Sequence, residues 1–257
     1  RQKRIRKIVS SDITILWGVH ETRDAYDILQ SWANAPTIYS DELNQVLFTL
    51  REGFVFGLTG QAAPEDIKIR QRALDIAYNI IDAAGIKLEE CYRQTNLTDA
   101  DKENVKRCAE VIDRACSQLR FACEGKRNSD EPPLKNEGLK QFLNETERHL
   151  KRIGDCGTPH TIYYLLELLE TLVHVSPEKC FDLLANALYH SRKLGFQNER
   201  LGMDQLVKMM GIFLADYKTI FDDQNRRTRL IDSLDFFMEA GWPAARRLLY
   251  RLPELIQ

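Results

Sequence analysis

The sequence lacks the long hydrophobic runs that a membrane protein needs. No window of the 257 residues approaches the ~20 consecutive apolar residues of a membrane-spanning helix, and no signal-peptide core follows the basic start. The chain also lacks a large excess of either sign of charge. It has 36 lysines and arginines and 38 acidic residues, for a formal net charge of -2. This balance excludes a global electrostatic attraction to nucleic acid or anionic membrane, so any such binding has to be local.

Runs of alternating apolar and polar residues are missing too, which argues against β-strands. Apolar residues instead recur at helical spacing along nearly the whole chain, with glycine and proline between these segments. The sequence therefore predicts an all-α fold. The predicted helices span residues 4–19, 22–33, 40–56, 64–84, 98–123, 134–153, 161–173, 177–194, 201–221, 224–240 and 243–252.

The most loop-like segment lies in the middle of the chain. Residues 125–133, GKRNSDEPP, combine polar residues with a glycine and two adjacent prolines, which do not continue a helix. We place the main internal boundary there, between an N-terminal helical half at 1–124 and a C-terminal helical half at 134–257, which together form one continuous helical array. Because the first residue is Arg1 rather than methionine, we expect the chain to be a fragment of a longer protein.

The predicted helices form antiparallel pairs of ~35 to 45 residues that are joined by short Gly/Pro turns. In this respect the chain resembles HEAT and armadillo-like repeats, as an irregular example without a consensus repeat. The resemblance implies an α-solenoid, in which each helix pair stacks on the next. An orthogonal helical bundle is the alternative architecture.

Residues 53–64, GFVFGLTGQAAP, contain three glycines and raise the question of a phosphate-binding loop. A Walker-type loop needs a lysine and then a hydroxyl after its last glycine, whereas Gly60 is followed by Gln61. The G-x-G-x-x-G spacing of dinucleotide-binding proteins is absent as well. The segment therefore indicates that Gly57 or Gly60 ends one helix and that Pro64 begins the next.

Six cysteines are present, although a chain of this length does not need disulfides for stability. Cys108, Cys116 and Cys123 fall on one stripe of a predicted helix, where they cannot bridge one another and are typical of small core residues. We therefore expect reduced thiols and a cytoplasmic location. Cys156 and His160 form a C-x3-H pair, but zinc needs three or four converging ligands, so neither a metal site nor a cofactor is predicted.

No complete catalytic motif accompanies the acidic residues. Glu167 with Glu170, and Asp232 with Asp235, are spaced to share a helix face, as the carboxylates of a glycosidase or di-metal site would. Solvated helices show the same spacing, and no E-x-x-H, H-E-x-x-H or G-x-S-x-G motif is present. We assign no catalytic residue, and the sequence favours a chain that is not itself an enzyme, although a domain upstream could be one.

The start of the chain is locally basic. Phosphate contacts of lysine and arginine give salt-dependent affinity without reading a base sequence. The candidate nucleic-acid-binding residues are Arg1, Lys3, Arg4, Arg6 and Lys7. They support an alternative function, in which the chain is a nucleic-acid-contacting accessory region of a larger enzyme.

Residues 206–214 and 230–238 are apolar around much of the helix circumference, which predicts burial in a core or against a partner. Trp242 and Tyr250 follow them and are the candidate partner-binding aromatic residues. The favoured function is a protein-protein interaction or scaffold module. Its partner would be another protein or another domain of the same longer chain, and no membrane partner is expected.

Overall fold

All regular secondary structure that the computed structural model describes is helical, which confirms the predicted all-α class. The described residues are 47, 50, 51, 53, 54, 64–94, 96–124, 134–193 and 201–256. The predicted helices at 4–19 and 22–33, most of the one at 40–56, and the loop at 125–133 lie outside them. Among the described helices, none is both long enough and apolar enough to cross a membrane.

The helices follow one another with short connections. They are α1 (Pro64–Tyr92), α2 (Asp99–Leu119), α3 (Phe121–Glu124), α4 (Asn136–Cys156), α5 (Pro159–Leu172), α6 (Pro177–Lys193), α7 (Met203–Asp216), α8 (Gln224–Ala240) and α9 (Pro243–Ile256), and a 3-10 helix at Lys218–Asp222 joins α7 to α8. The chain divides into two compact units, residues 1–138 and 139–257, which are called the N-terminal unit and the C-terminal unit below.

The start of α2 follows the sequence prediction closely. Thr98 is the N-cap, and its hydroxyl accepts a hydrogen bond from the backbone N–H of Asp101 at 3.2 Å. The Asp101 carboxylate in turn accepts one from the backbone N–H of Thr98 at 2.9 Å, which completes a capping box. The hydrogen bonds that the Thr98 hydroxyl and the Thr98 backbone N–H donate to the Asp101 carboxylate hold the pKa of that carboxyl below its usual value. The local sequence therefore sets where α2 begins.

The predicted break of α1 at Gly85 is wrong, because the helix continues to Tyr92. Ala84, Leu88 and Cys91 are all buried and extend the apolar stripe of α1 beyond the glycine, where α1 packs along α2. A glycine inside a helix costs roughly 1 kcal/mol relative to alanine. Burial of the continuing stripe outweighs that cost, since tertiary packing supplies most helical stability in proteins.

In the predicted helix at 64–84 the spacing of apolar residues puts Ile67 on the buried face and Arg70 in solvent, and the structure corrects both predictions. Arg70 was expected in solvent, yet its guanidinium donates hydrogen bonds to the backbone carbonyls of Phe54 at 3.2 Å and Ala122 at 2.9 Å. Ile67 was expected in the core, yet it is 56% exposed, and the buried stripe begins at Ala73. A long arginine can reach carbonyl groups at the edge of a core, which spacing along one helix does not reveal.

In the C-terminal unit, α4 and α6 run side by side in the same direction. Glu147 in the middle of α4 pairs with Lys179 near the start of α6, and further along both helices Asp155 contacts Asn186 and His190. Residue numbers therefore increase together along the two helices, as they do along α6 and α8. In that pair Asp182 binds Arg226, and Arg192 pairs with Glu239 further along.

Helices α5 and α7 also run side by side in the same direction. Glu170 of α5 pairs with Lys208 of α7, and Gly202 at the start of α7 lies against the backbone of Tyr163. Helix α7 then packs against α9, while α5 packs on α6 and α8 on α9. Helices two apart in the chain are therefore neighbours in the C-terminal unit.

Aromatic residues form much of the core of this unit. Phe181 is fully buried, and its ring meets those of Phe213 at 5.4 Å and Phe221 at 4.9 Å in edge-to-face geometry. Such pairs stabilise by about 0.5–1.5 kcal/mol beyond the area they bury. Because Phe181, Phe213 and Phe221 belong to α6, α7 and the 3-10 helix, this cluster connects three elements.

Most other predicted helix ends lie within about one helical turn of the observed ends. The larger differences are at the C-termini of helices. Thr158 caps α5, and Asp223 caps α8, which Gly241 ends in the left-handed region at φ 66°. The helix predicted at 201–221 instead ends at Asp216 and gives way to the 3-10 helix. Helix α9 passes through Pro253 to Ile256, beyond the predicted end.

Candidate functional site

The structure places the two candidate partner-binding aromatic residues differently. Tyr250 is 85% exposed on α9, whereas Trp242 is 6% exposed and packs edge-on against Phe236 at 5.5 Å. The indole of Trp242 is therefore a core side chain of the C-terminal unit, and the partner-binding prediction rests on Tyr250. The candidate nucleic-acid-binding residues Arg1, Lys3, Arg4, Arg6 and Lys7 lie outside the described residues, as do Gly57 and Gly60.

The residues that were examined as possible metal ligands or catalytic groups are buried or make contacts within the folded chain. Cys156 is buried, and no group of three or more His, Cys, Asp or Glu side chains converges as a metal site in the described part of the chain. Glu167 accepts a hydrogen bond from the Tyr163 hydroxyl at 2.9 Å, and Glu170 pairs with Lys208. The spacing of these two glutamates therefore serves contacts on and between helices.

All six cysteines are free and buried, which for Cys108, Cys116 and Cys123 agrees with the prediction that they are core residues. Burial raises the pKa of the Cys108 thiol to about 11 and that of Cys180 to about 12. It also raises the pKa values of Cys91 and Cys123. The thiolate is the nucleophilic form, so the raised pKa values lower the nucleophilic fraction of these groups.

We therefore expect the native protein to react slowly with Ellman's reagent at pH 8. The raised pKa of Cys108 alone lowers its thiolate fraction by about 100-fold, and burial blocks access further. Unfolding in guanidinium chloride should release all six thiols at the rate of a free cysteine. The measurement is the absorbance time course with and without denaturant, and rapid reaction of any thiol in the native protein would contradict the buried placement.

A concave surface in the C-terminal unit forms a groove of about 540 Å³. We call it the polar groove. Three helices line it, and nearly all of the contributing side chains are polar or charged. They are Asn144, Glu147, Arg148 and Lys151 of α4, Asp182, Leu183 and Asn186 of α6, and Asn225 and Arg229 of α8.

A second concave region of about 500 Å³ adjoins the polar groove between α6 and α8. It shares Asn186, Asn225 and Arg229 with the polar groove, so the two regions are continuous. Its walls are more apolar and include Tyr189, which is 61% exposed, and the buried Phe236. The combined surface thus passes from a charged part near α4 to a mixed part near α8.

Each helix contributes one asparagine to the polar groove. Asn144 Oδ1 accepts a hydrogen bond from Lys179 Nζ at 3.0 Å, and Asn186 Nδ2 donates one to Asp155 Oδ1 at 2.6 Å. Asn225 is exposed on the first turn of α8. The three carboxamides therefore present both donors and acceptors along one surface.

The carboxylates that line the polar groove are paired with cations. Glu147 pairs with Lys179, and Asp182 accepts from Arg226 Nη2 at 3.0 Å and from Arg229 Nη1 at 3.3 Å. The hydrogen bonds to Asp182 raise the pKa of Arg226 above its ordinary value. These pairs connect α4 to α6 and α6 to α8 along the groove.

Sequence reasoning missed this groove, although a signal was present. Asn144, Asn186 and Asn225 recur at intervals of about 40 residues, which is the period expected for stacked helix pairs. A search for polar residues at that period would have found them. Comparison of the chain with protein-family models, with characterised proteins and with solved structures gives no match. The assignment of a function therefore rests on the geometry of the groove.

Proposed function

We propose that the chain is a protein-interaction module and that its C-terminal unit binds an extended segment of a partner protein in the polar groove. The observation that carries this proposal is one groove that crosses three helices and receives polar side chains from each of them. A segment that crosses several helices makes many weak contacts, and these add up to a specific interface.

The asparagines give the groove a means to hold a peptide backbone. An extended segment brings N–H and C=O groups that lose water on binding and need new partners. Among the described contacts Asn144 uses its carbonyl oxygen and Asn186 its amide, so the amide of Asn144 and the carbonyl of Asn186 remain for a bound backbone. Asn225 is exposed at the opposite wall.

The helix arrangement supports an α-solenoid of the HEAT or armadillo-like kind for this unit. Neighbouring helices in α4, α6 and α8 run in the same direction, as do α5 and α7, and α5 packs on α6 as α8 packs on α9. This is the order in which helix pairs stack in a repeat array, whereas an orthogonal bundle crosses its helices at large angles. The groove would then be the concave binding surface of the array.

The proposal is tested by partner capture with a groove variant and a matched control. The groove variant carries N144A, K151A and N225A, three exposed positions of the polar groove. The control carries K68Q and R247Q, two exposed cations that do not line it. Circular dichroism verifies that both variants fold.

After nuclease treatment of a native cell lysate, we expect the immobilised wild-type chain and the control to retain the same proteins. The groove variant should retain about 10-fold less of them, as the loss of several interface hydrogen bonds predicts. Equal retention by the groove variant would overturn the proposal. Binding that disappears with nuclease would instead favour nucleic-acid contact by the residues from Arg1 to Lys7.

A further inference from the structure

We propose that two copies of the chain form a symmetric dimer through the side of α8 and α9 that points away from α6 and α7. We call this surface the outer face. It consists of Ile231, Asp235 and Met238 of α8 and Arg246 and Tyr250 of α9. The polar groove lies on the side of α8 that faces α6, so the two surfaces are separate.

The outer face of α8 lies opposite the contact of this helix with α6. Arg229 reaches Asp182 of α6, and at 100° per residue Ile231 lies about 160° around the helix from Arg229. Met238, seven residues further along, lies within about 20° of Ile231. Both side chains are more than half exposed, so an apolar stripe runs along this side of α8.

Tyr250 occupies the equivalent side of α9. Leu248 lies against Gly211 of α7, and Tyr250 is about 160° around the helix from Leu248. Helices α6 and α7 contact each other, so the side of α8 away from α6 and the side of α9 away from α7 form one surface. Three exposed apolar residues on one surface of two packed helices form a patch that a partner protein can cover.

The charged residues of α8 and α9 were all considered as neighbours of this patch. The exposed ones are Arg227, Asp232, Asp235 and Glu239 of α8 and Arg246, Arg247, Arg251 and Glu254 of α9. Half of them already have partners, because Arg227 donates to the Phe221 carbonyl, Glu239 pairs with Arg192, and Arg251 pairs with Glu254. Further charges lie at the ends of α7 and between α7 and α8, at Asp204, Asp216, Lys218, Asp222 and Asp223.

The remaining charges of the two helices are opposite in sign. Asp232 and Asp235 belong to α8, whereas Arg246 and Arg247 belong to α9. Within the part of the chain that the structure describes, none of these four side chains has an ion-pair or hydrogen-bond partner. One half of the outer face is therefore acidic and the other half basic. A face of this kind is complementary to a second copy of itself.

The position of these charges along the helices matches a two-fold axis. Only Gly241 and Trp242 connect α8 to α9, and the two helices pack together, so the chain reverses between them. Asp235 and Arg246 lie about 9 Å and about 8 Å from Gly241 along their helices. A two-fold axis that runs parallel to the helices places α8 of one copy on α9 of the other. Asp235 of each copy then faces Arg246 of the other copy, and Ile231 faces Tyr250.

The size of the outer face sets the expected strength of the dimer. Helix α8 has 17 residues and α9 has 14, so the face measures about 25 Å by about 20 Å. Two such faces bury about 1,000 Å² in total, which is at the lower end of specific interfaces. We therefore expect a dimer with a Kd of about 10–100 μM.

The experiment is sedimentation equilibrium of the full chain between about 5 and about 300 μM. The weight-average mass of the wild type should rise from 29.8 kDa toward twice that value. D235R and R246E should each weaken self-association at least about 10-fold, because each variant places like charges opposite one another twice in a dimer. The controls E90R and K140E reverse exposed charges outside the outer face and should associate like the wild type. Circular dichroism verifies that all variants fold.

An equimolar mixture of D235R and R246E tests the two-fold pairing itself. In the mixed dimer the two substituted positions face each other, and the two unchanged positions face each other. Both contacts then join opposite charges, so the mixture should associate about as tightly as the wild type although neither variant does so alone.

Three results would each overturn the inference. They are a wild type that keeps the monomer mass up to about 300 μM, self-association that neither reversal weakens, and weakening by both reversals without recovery in the mixture. The groove variant N144A/K151A/N225A should dimerise like the wild type. Failure of the dimer would therefore leave the proposed function of the polar groove unaffected.

Discussion

Replacement of Phe181 by alanine should lower the free energy of unfolding by about 3–5 kcal/mol. The side chain is fully buried and contacts Phe213 and Phe221 edge-to-face, so its removal opens a cavity at the junction of α6, α7 and the 3-10 helix. Surrounding helices relax only partly into such a cavity, which adds to the loss of apolar burial. Urea denaturation followed by circular dichroism measures the change.

Ile231 provides the matched control for this prediction. It is an apolar residue of α8 that is 54% exposed, so I231A should change the free energy of unfolding by no more than about 0.5 kcal/mol. Similar destabilisation by F181A and I231A would contradict the packing of α6 against α7 that the structure shows. The effect of F181A would then not depend on burial.

The second large effect is expected at Trp242. W242A should destabilise the chain by about 3–5 kcal/mol, because the indole is buried against Phe236 at 5.5 Å and Phe237 at 6.0 Å. Y250A should leave stability within about 0.5 kcal/mol of the wild type, since that ring is 85% exposed. Thermal unfolding of the two variants under the same conditions gives both values.

This pair of variants also separates a core role from a partner-binding role. Trp242 and Tyr250 were predicted together as partner-binding residues, and the structure buries only Trp242. A stability loss in W242A with none in Y250A supports that placement. If W242A were as stable as the wild type, the buried placement of Trp242 would be contradicted, and the indole would be expected at the surface.

Several features of the fold could be predicted from the sequence because they depend on contacts between residues close together in the chain. Thr98 with Asp101, Pro159, Asp223 and Gly241 mark helix ends through contacts within a few residues of themselves. Helical content and most helix bounds follow from the same short-range rules. The polar groove was not found in this way, because its walls come from helices about 40 residues apart in the chain.

The sequence by itself determined that this protein is helical, where most of its helices begin and end, and that Cys108, Cys116 and Cys123 lie in the core. These properties depend on the spacing of apolar residues and on capping groups, which act within a few turns. The tertiary structure decided that Arg70 bonds to carbonyls, that Ile67 is exposed, that Trp242 is buried and that three asparagines share one groove. Those outcomes depend on which neighbouring helix covers each face, because burial and charge pairing are properties of contacts between distant parts of the chain.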